Sequence, residues 1–183
     1  NPSQPEYPGL PHALGDRVQG NNGSEWVFVR ASATVTAFNF LAINSSYNAT
    51  NATTALVASN AYIFGFAEFI PTGGVTQGNA SGGVANTGDF FWAMLKCAQG
   101  ARANITTSAT TSPGAALYVS GSVPGFITVS ADTSAAPGSG RLNGLVFTGA
   151  SLDTATGTTS IEVGMFSYVM PGVLVSALGR LSI

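Results

Sequence analysis

The stretch Arg17-Val18-Gln19-Gly20-Asn21-Asn22-Gly23-Ser24-Glu25-Trp26-Val27-Phe28-Val29-Arg30 sets two runs of β-forming residues around a block of glycine and asparagine. Asn-Gly accepts the positive φ that tight hairpin turns require, so the stretch predicts strand, turn, strand. The same grammar continues along the chain. Thr34–Phe40, Tyr62–Phe69, Phe90–Lys96, Arg102–Thr106, Leu117–Val119, Phe126–Ser130, Leu142–Thr148 and Ile161–Met170 are rich in Val, Ile, Phe and Tyr and bounded by Gly, Pro, Asn or Ser. Gly65, Gly144 and Gly164 fall inside these runs, where glycine marks a bulge or a close backbone approach. Asn51 to Ala58 is the one stretch that reads as a short helix, and its threonines weaken it. The longest connection, Pro71 to Asp89, is long enough to be functional. The expected fold is all-β, a sandwich or barrel of about eight to ten short strands.

Residues 1–13 read as a separate piece. Pro2, Pro5, Pro8 and Pro11 recur every third residue, the period of polyproline II, so their rings share one ridge of an extended proline-rich arm. Such an arm reaches roughly 28 Å at about 3.1 Å per residue. Pro5, Tyr7, Pro8, Leu10 and Pro11 form a mostly apolar strip suited to contact with a partner or a neighbouring subunit. Residues 14–183 then make a single β-domain. At 183 residues the chain is long enough to bury roughly 70% of its unfolded surface. A lone cysteine, Cys97, allows no internal disulfide and, at the end of an apolar strand, reads as a buried thiol.

Charge is unusually sparse: 8% of residues are Asp, Glu, Lys or Arg, against about 25% in ordinary domains. The net charge is −2 and no basic run occurs, which argues against nucleic-acid binding, since neutralising phosphates needs clustered Lys and Arg. Asn, Ser, Thr and Gly interrupt every apolar run, so no membrane helix is expected. The first residues carry no basic and apolar leader pattern. Six Asn-x-Ser/Thr sequons, at Asn22, Asn44, Asn48, Asn51, Asn79 and Asn104, fit a surface that is polar without charge, with glycosylation as the sharper alternative.

Residues for chemistry are scattered. Glu6, Asp16, Glu25, Glu68, Asp89, Asp132, Asp153 and Glu162 form no evident pair, and most border turns. The single histidine, His12, sits on the arm, so no serine or cysteine has an obvious base. One His and one Cys do not make a zinc site, and no calcium loop is written in the chain. The run Gly73 to Gly83 lacks the Gly-Lys-Ser/Thr of a phosphate loop. No catalytic, cofactor or metal site is therefore expected, and the chain reads as a non-enzyme without cofactors. Trp26 and Trp92 lie in strands, where core packing is the default and a carbohydrate platform the alternative.

Several segments taken in order carry a resemblance. They are Gly15-Asp16-Arg17-Val18, Trp26-Val27-Phe28-Val29, Tyr62 to Ala67, Gly88 to Leu95 and Gly100 to Ile105. Ser112-Pro113-Gly114 to Val119, Pro124 to Ile127 and Leu142 to Val146 complete the series. Together, over roughly Leu14 to Pro171, the chain resembles the small β-rich head decoration (cement) proteins of tailed bacteriophages. The Asn/Thr segment Ile43–Ser59 departs from that compact pattern. The resemblance implies a virion structural protein on the outer capsid surface, without an active site. It also implies a homotrimer touching the major capsid protein and its own copies. The competing reading is a secreted or tail-associated β-domain that binds glycans or a host surface through Trp26, Trp92 or the tyrosines.

Overall fold

A computed structural model describes residues 12–20, 23–59, 61–68, 83–106, 114–129, 141–147 and 158–171. The expected hairpin is present. β1 (Arg17–Gln19) pairs antiparallel with β2 (Glu25–Ala31), with Val18 opposite Trp26. Gly23 takes φ +73° and its N–H donates to the Gly20 carbonyl, closing the turn between the strands.

Then follow β3 (Val35–Thr36), β4 (Phe40–Ile43), β5 (Asn48–Asn51), α1 (Thr54–Ala58), β6 (Ile63–Phe66) and β7 (Val84–Ala85). β8 (Phe90–Thr106), β9 (Ala116–Val119), β10 (Ile127–Thr128), β11 (Arg141–Phe147) and β12 (Thr158–Pro171) complete the described elements. The fold is all-β. Ten of these strands form one sheet that curls on itself, and β3 pairs with β7 in a small separate ribbon.

Pairing closes the sheet. β2, β5, β4, β6 and β8 form a ring because β2 pairs with both β5 and β8. A second ring runs through β8, β10, β9, β11 and β12, since β12 pairs with both β11 and β8. Ring closure removes the open strand edges that would otherwise invite edge-to-edge association. β8 belongs to both rings. Its residues 90–96 pair with β2, and its residues 97–106 pair with β12.

The period-two alternation of each strand sorts side chains into two cores. Val27, Val29 and Ala31 of β2, Leu41 and Ile43 of β4, and Phe91, Ala93 and Leu95 of β8 fill the first ring. Phe40 and Ala42, on the other face of β4, join Phe64 and Phe66 of β6 in the second core. That core also takes Ala101, Ala103 and Ile105 of β8, Leu117 and Val119 of β9, Ile127 of β10, and Val57 of α1. The odd-numbered face of β8 thus lines the first core in its first half and the second core in its second half.

The strand glycines have the roles their positions suggest. A Cβ on Gly65 would lie 2.5 Å from the Met94 carbonyl oxygen, so only glycine lets β6 approach β8. Gly144 and Gly164 fall at register irregularities, where one strand carries extra residues that the other does not match.

Two expectations need correction in detail. Phe90–Lys96 and Arg102–Thr106 are one continuous strand, because Ala98-Gln99-Gly100 is carried through as an irregularity opposite Gly164 rather than as a turn. Thr34–Phe40 is not one strand, because Phe38 takes φ +68° and bends the chain between β3 and β4. The Asn/Thr segment is part of the first ring: Asn48–Asn51 pairs parallel with β2 and antiparallel with β4. The short helix is present as α1, capped by Thr53, whose Oγ1 accepts the Leu56 N–H. Of the long connection Pro71 to Asp89, only residues 83–89 are among those described.

Candidate functional site

Three local arrangements stand out among the described residues. The first is a bend where the rings meet. Asn104 Nδ2 donates to Asn39 Oδ1 at 2.8 Å, Asn39 Nδ2 donates to Asn51 Oδ1 at 2.9 Å, and Asn51 Nδ2 donates to the Thr34 carbonyl at 3.0 Å. Asn39 is 4% exposed, so its amide finds within the chain the partners that burial denies it from water. Beside it, Glu68 Oε2 accepts the backbone N–H of Arg102 at 2.6 Å. The carboxylate stands in for a strand partner on that edge of β8, between the pairing of Met94 with β6 and the bond from Asn104 N to the Phe38 carbonyl. Burial pushes the Glu68 pKa up to about 7 from 4.5, against the lowering pull of the Arg102 N–H and charge. The Arg102 guanidinium lies 4.4 Å from the Phe38 ring centroid.

The second is an aromatic face outside the first ring. Phe28 lies opposite Trp92 across the β2–β8 pairing, and Phe28 stacks on Phe90 at 5.9 Å between centroids. The His12 ring meets Trp92 edge-on at 4.9 Å and Phe28 at 5.5 Å. His12 is thereby held against the β2–β8 pair, and Gly15 N–H donating to the Phe28 carbonyl continues the attachment. Trp26 and Trp92 are both half-buried, with Trp26 Nε1 donating to Ser24 Oγ at 2.9 Å. Trp26 packs against the second core, and Trp92 against the rings of Phe28 and His12.

The third is an open cleft of about 440 Å³ between the β4–β5 turn and the start of β6, lined among others by Arg17, Asn44, Ser45, Tyr47, Tyr62 and Ile63. Its two tyrosines are rooted in different cores: Tyr47 packs against the first and Tyr62 against the second. Tyr47 is held at φ +58°, a left-handed conformation that a bulky residue adopts at a cost. Its N–H donates to the Asn44 carbonyl at 2.9 Å, and its carbonyl accepts the Arg30 N–H at 3.0 Å. A Cβ on Gly15 would overlap the Tyr47 ring, so that glycine makes room for it. Asn44 Oδ1 accepts the N–H groups of Ser46 and Asn48, which fixes the turn.

Pro5, Tyr7, Pro8, Leu10 and Pro11, the candidate partner contacts, lie outside the described residues. So do Asn22 and Asn79 of the sequons and most of the glycine-rich run. Asn51 and Asn104 use side-chain N–H groups in hydrogen bonds within the fold. Cys97 is buried, as expected. Among the described residues no three of His, Cys, Asp and Glu come together. Sequence reasoning named the tyrosines without locating the cleft, because Tyr47 and Tyr62 lie on separate segments that only ring closure brings together. No protein-family model matches the chain, and no curated protein matches it.

Proposed function

We propose that the chain is a non-enzymatic virion structural protein that binds and stabilises the outer surface of a phage capsid. It acts as a homotrimer held against the major capsid protein and its own copies. The observation that carries this reading is the way cohesion is distributed: two closed rings share one 17-residue strand and are locked where they meet by amide hydrogen bonds. A body of this kind resists local opening without relying on ion pairs, and only 8% of the chain is charged. Contacts from backbone, hydroxyl and apolar groups stay effective as ionic strength changes, which suits a coat exposed to varied salt. A net charge near zero favours assembly over dispersal.

The testing experiment is co-expression with the major capsid protein of the same genome, followed by sedimentation of the shells. The chain is expected to travel with the shells and to sediment as a trimer when free. A chain left at the top of the gradient, or a clean monomer at micromolar concentration, contradicts the reading.

A further inference from the structure

We propose that the cleft between the β4–β5 turn and the start of β6 is a saccharide site that takes an uncharged pyranose. Its volume of about 440 Å³ falls in the range of about 300–1,000 Å³ typical of small-ligand sites. The lining combines what a sugar ring needs. Tyr47 and Tyr62 supply aromatic rings whose negative faces attract the partially positive C–H groups of a pyranose. Ile63, 38% exposed, extends the apolar floor.

Polar groups for the hydroxyls are present and unspent. Asn44 uses Oδ1 to fix the turn, and among the described residues nothing accepts from its Nδ2 or bonds Ser45 Oγ, Tyr47 Oη or Tyr62 Oη. The charge of the site selects the ligand. Among the described residues Arg17 is the one charged side chain in the lining, and its Nη1 is already 2.7 Å from Glu25 Oε1. An anionic sugar would have to compete with Glu25 for that guanidinium, whereas a neutral one would accept a hydrogen bond from it without displacing anything.

The cleft is also preorganised. Tyr47 sits in its left-handed conformation, secured by two backbone bonds and by the space at Gly15, so binding orders little that is not already ordered. This site stands independently of capsid binding, and its test uses the purified chain alone.

The experiment is saturation-transfer NMR of the full chain with methyl glucoside, methyl galactoside, methyl mannoside, N-acetylglucosamine and cellotetraose, with galacturonate and sialic acid as charged probes. Transfer to ring C–H protons of at least one neutral sugar is expected, with a dissociation constant on the order of 1 mM. Tyr62→Ala is expected to weaken binding by at least about tenfold. Because Tyr62 also packs on a core, Ser45→Trp provides the second variant: it fills the cleft from an exposed turn position and is expected to abolish transfer with unchanged thermal unfolding. Trp92→Phe, outside the cleft, is expected to leave transfer intact. Absence of transfer to every neutral sugar, transfer that survives Ser45→Trp, or preference for a charged probe each overturns the proposal.

Discussion

Asn104 donates from Nδ2 to Asn39 Oδ1 across 2.8 Å, tying the second half of β8 to the bend that begins β4. The two residues are 65 apart in sequence, yet the same amide of Asn104 also donates to the Ala37 carbonyl at 3.0 Å. Around them, Phe40 N–H donates to the Gly125 carbonyl, and Gly125 N–H donates to that of Ala52. The bend therefore gathers backbone from both rings. A Cβ on Gly125 would come within 2.9 Å of both Asn39 Nδ2 and Asn51 Oδ1, so the amide chain and the glycine need each other.

Replacing Asn39 by Ala removes the buried middle of that chain and takes one hydrogen bond each from Asn51 and Asn104. The expected loss is about 2 kcal/mol of unfolding free energy, read by denaturant titration. Asn39→Asp is expected to cost a comparable amount, because a carboxylate cannot donate to Asn51 Oδ1. A change below about 0.5 kcal/mol in both variants, the range of an ordinary surface substitution, contradicts a structural role for the bend.

Gly65→Ala tests the contact between β6 and β8. The new methyl group meets backbone, the Met94 carbonyl, rather than a side chain able to turn aside. An overpacking cost of about 1–3 kcal/mol is expected, with a matching fall in Tm. A variant as stable as the native chain contradicts the close approach of β6 to β8 at Gly65.

Legibility in the sequence followed side-chain chemistry. Glu25–Ala31 was readable because aromatic and β-branched residues alternate along it, and Phe90–Lys96 because it is a short run dense in aromatic and apolar residues. Asn48–Asn51 was not, since Asn, Ala and Thr say little about strand formation. It pairs because Asn44 fixes the turn and β2 supplies a parallel neighbour. The bend at Phe38 was hidden as well, because a non-glycine residue at positive φ has no local signature. Gly65, Gly144 and Gly164 were legible as special positions, but which carbonyl Gly65 approaches depends on tertiary pairing. The cleft was beyond reach for the same reason.

Glu68 gives the stability a pH dependence of definite sign. Burial raises its pKa to about 7 in the folded chain, from 4.5 without that burial, so the folded state holds the proton over a window in which the unfolded state releases it. Its contribution is present at low pH and is lost as pH rises from about 4.5 to about 7. Glu68→Gln keeps an acceptor for the Arg102 N–H and removes the titration. Between pH 5 and pH 8 the variant should gain in Tm relative to the native chain. Parallel curves exclude Glu68 as the source.

Deleting residues 1–11 tests the arm. His12 remains to pack against Trp92 and Phe28, so circular dichroism and Tm should stay near those of the full chain. Attachment to the shell should weaken, because Pro5, Tyr7, Pro8, Leu10 and Pro11 offer an apolar strip whose prolines already restrict the unbound chain. Equal attachment of both forms removes the arm from the interface, and loss of folding makes it a structural strand.

The most direct test of the capsid account is a titration of fluorescently labelled full chain against purified undecorated heads at low and high salt. A shell contact built on backbone, hydroxyl and apolar groups predicts saturable binding whose Kd changes by less than about threefold between about 50 and 500 mM NaCl. No saturable binding at either salt concentration, or a Kd that weakens by orders of magnitude over that range as charge-driven contacts do, would contradict it.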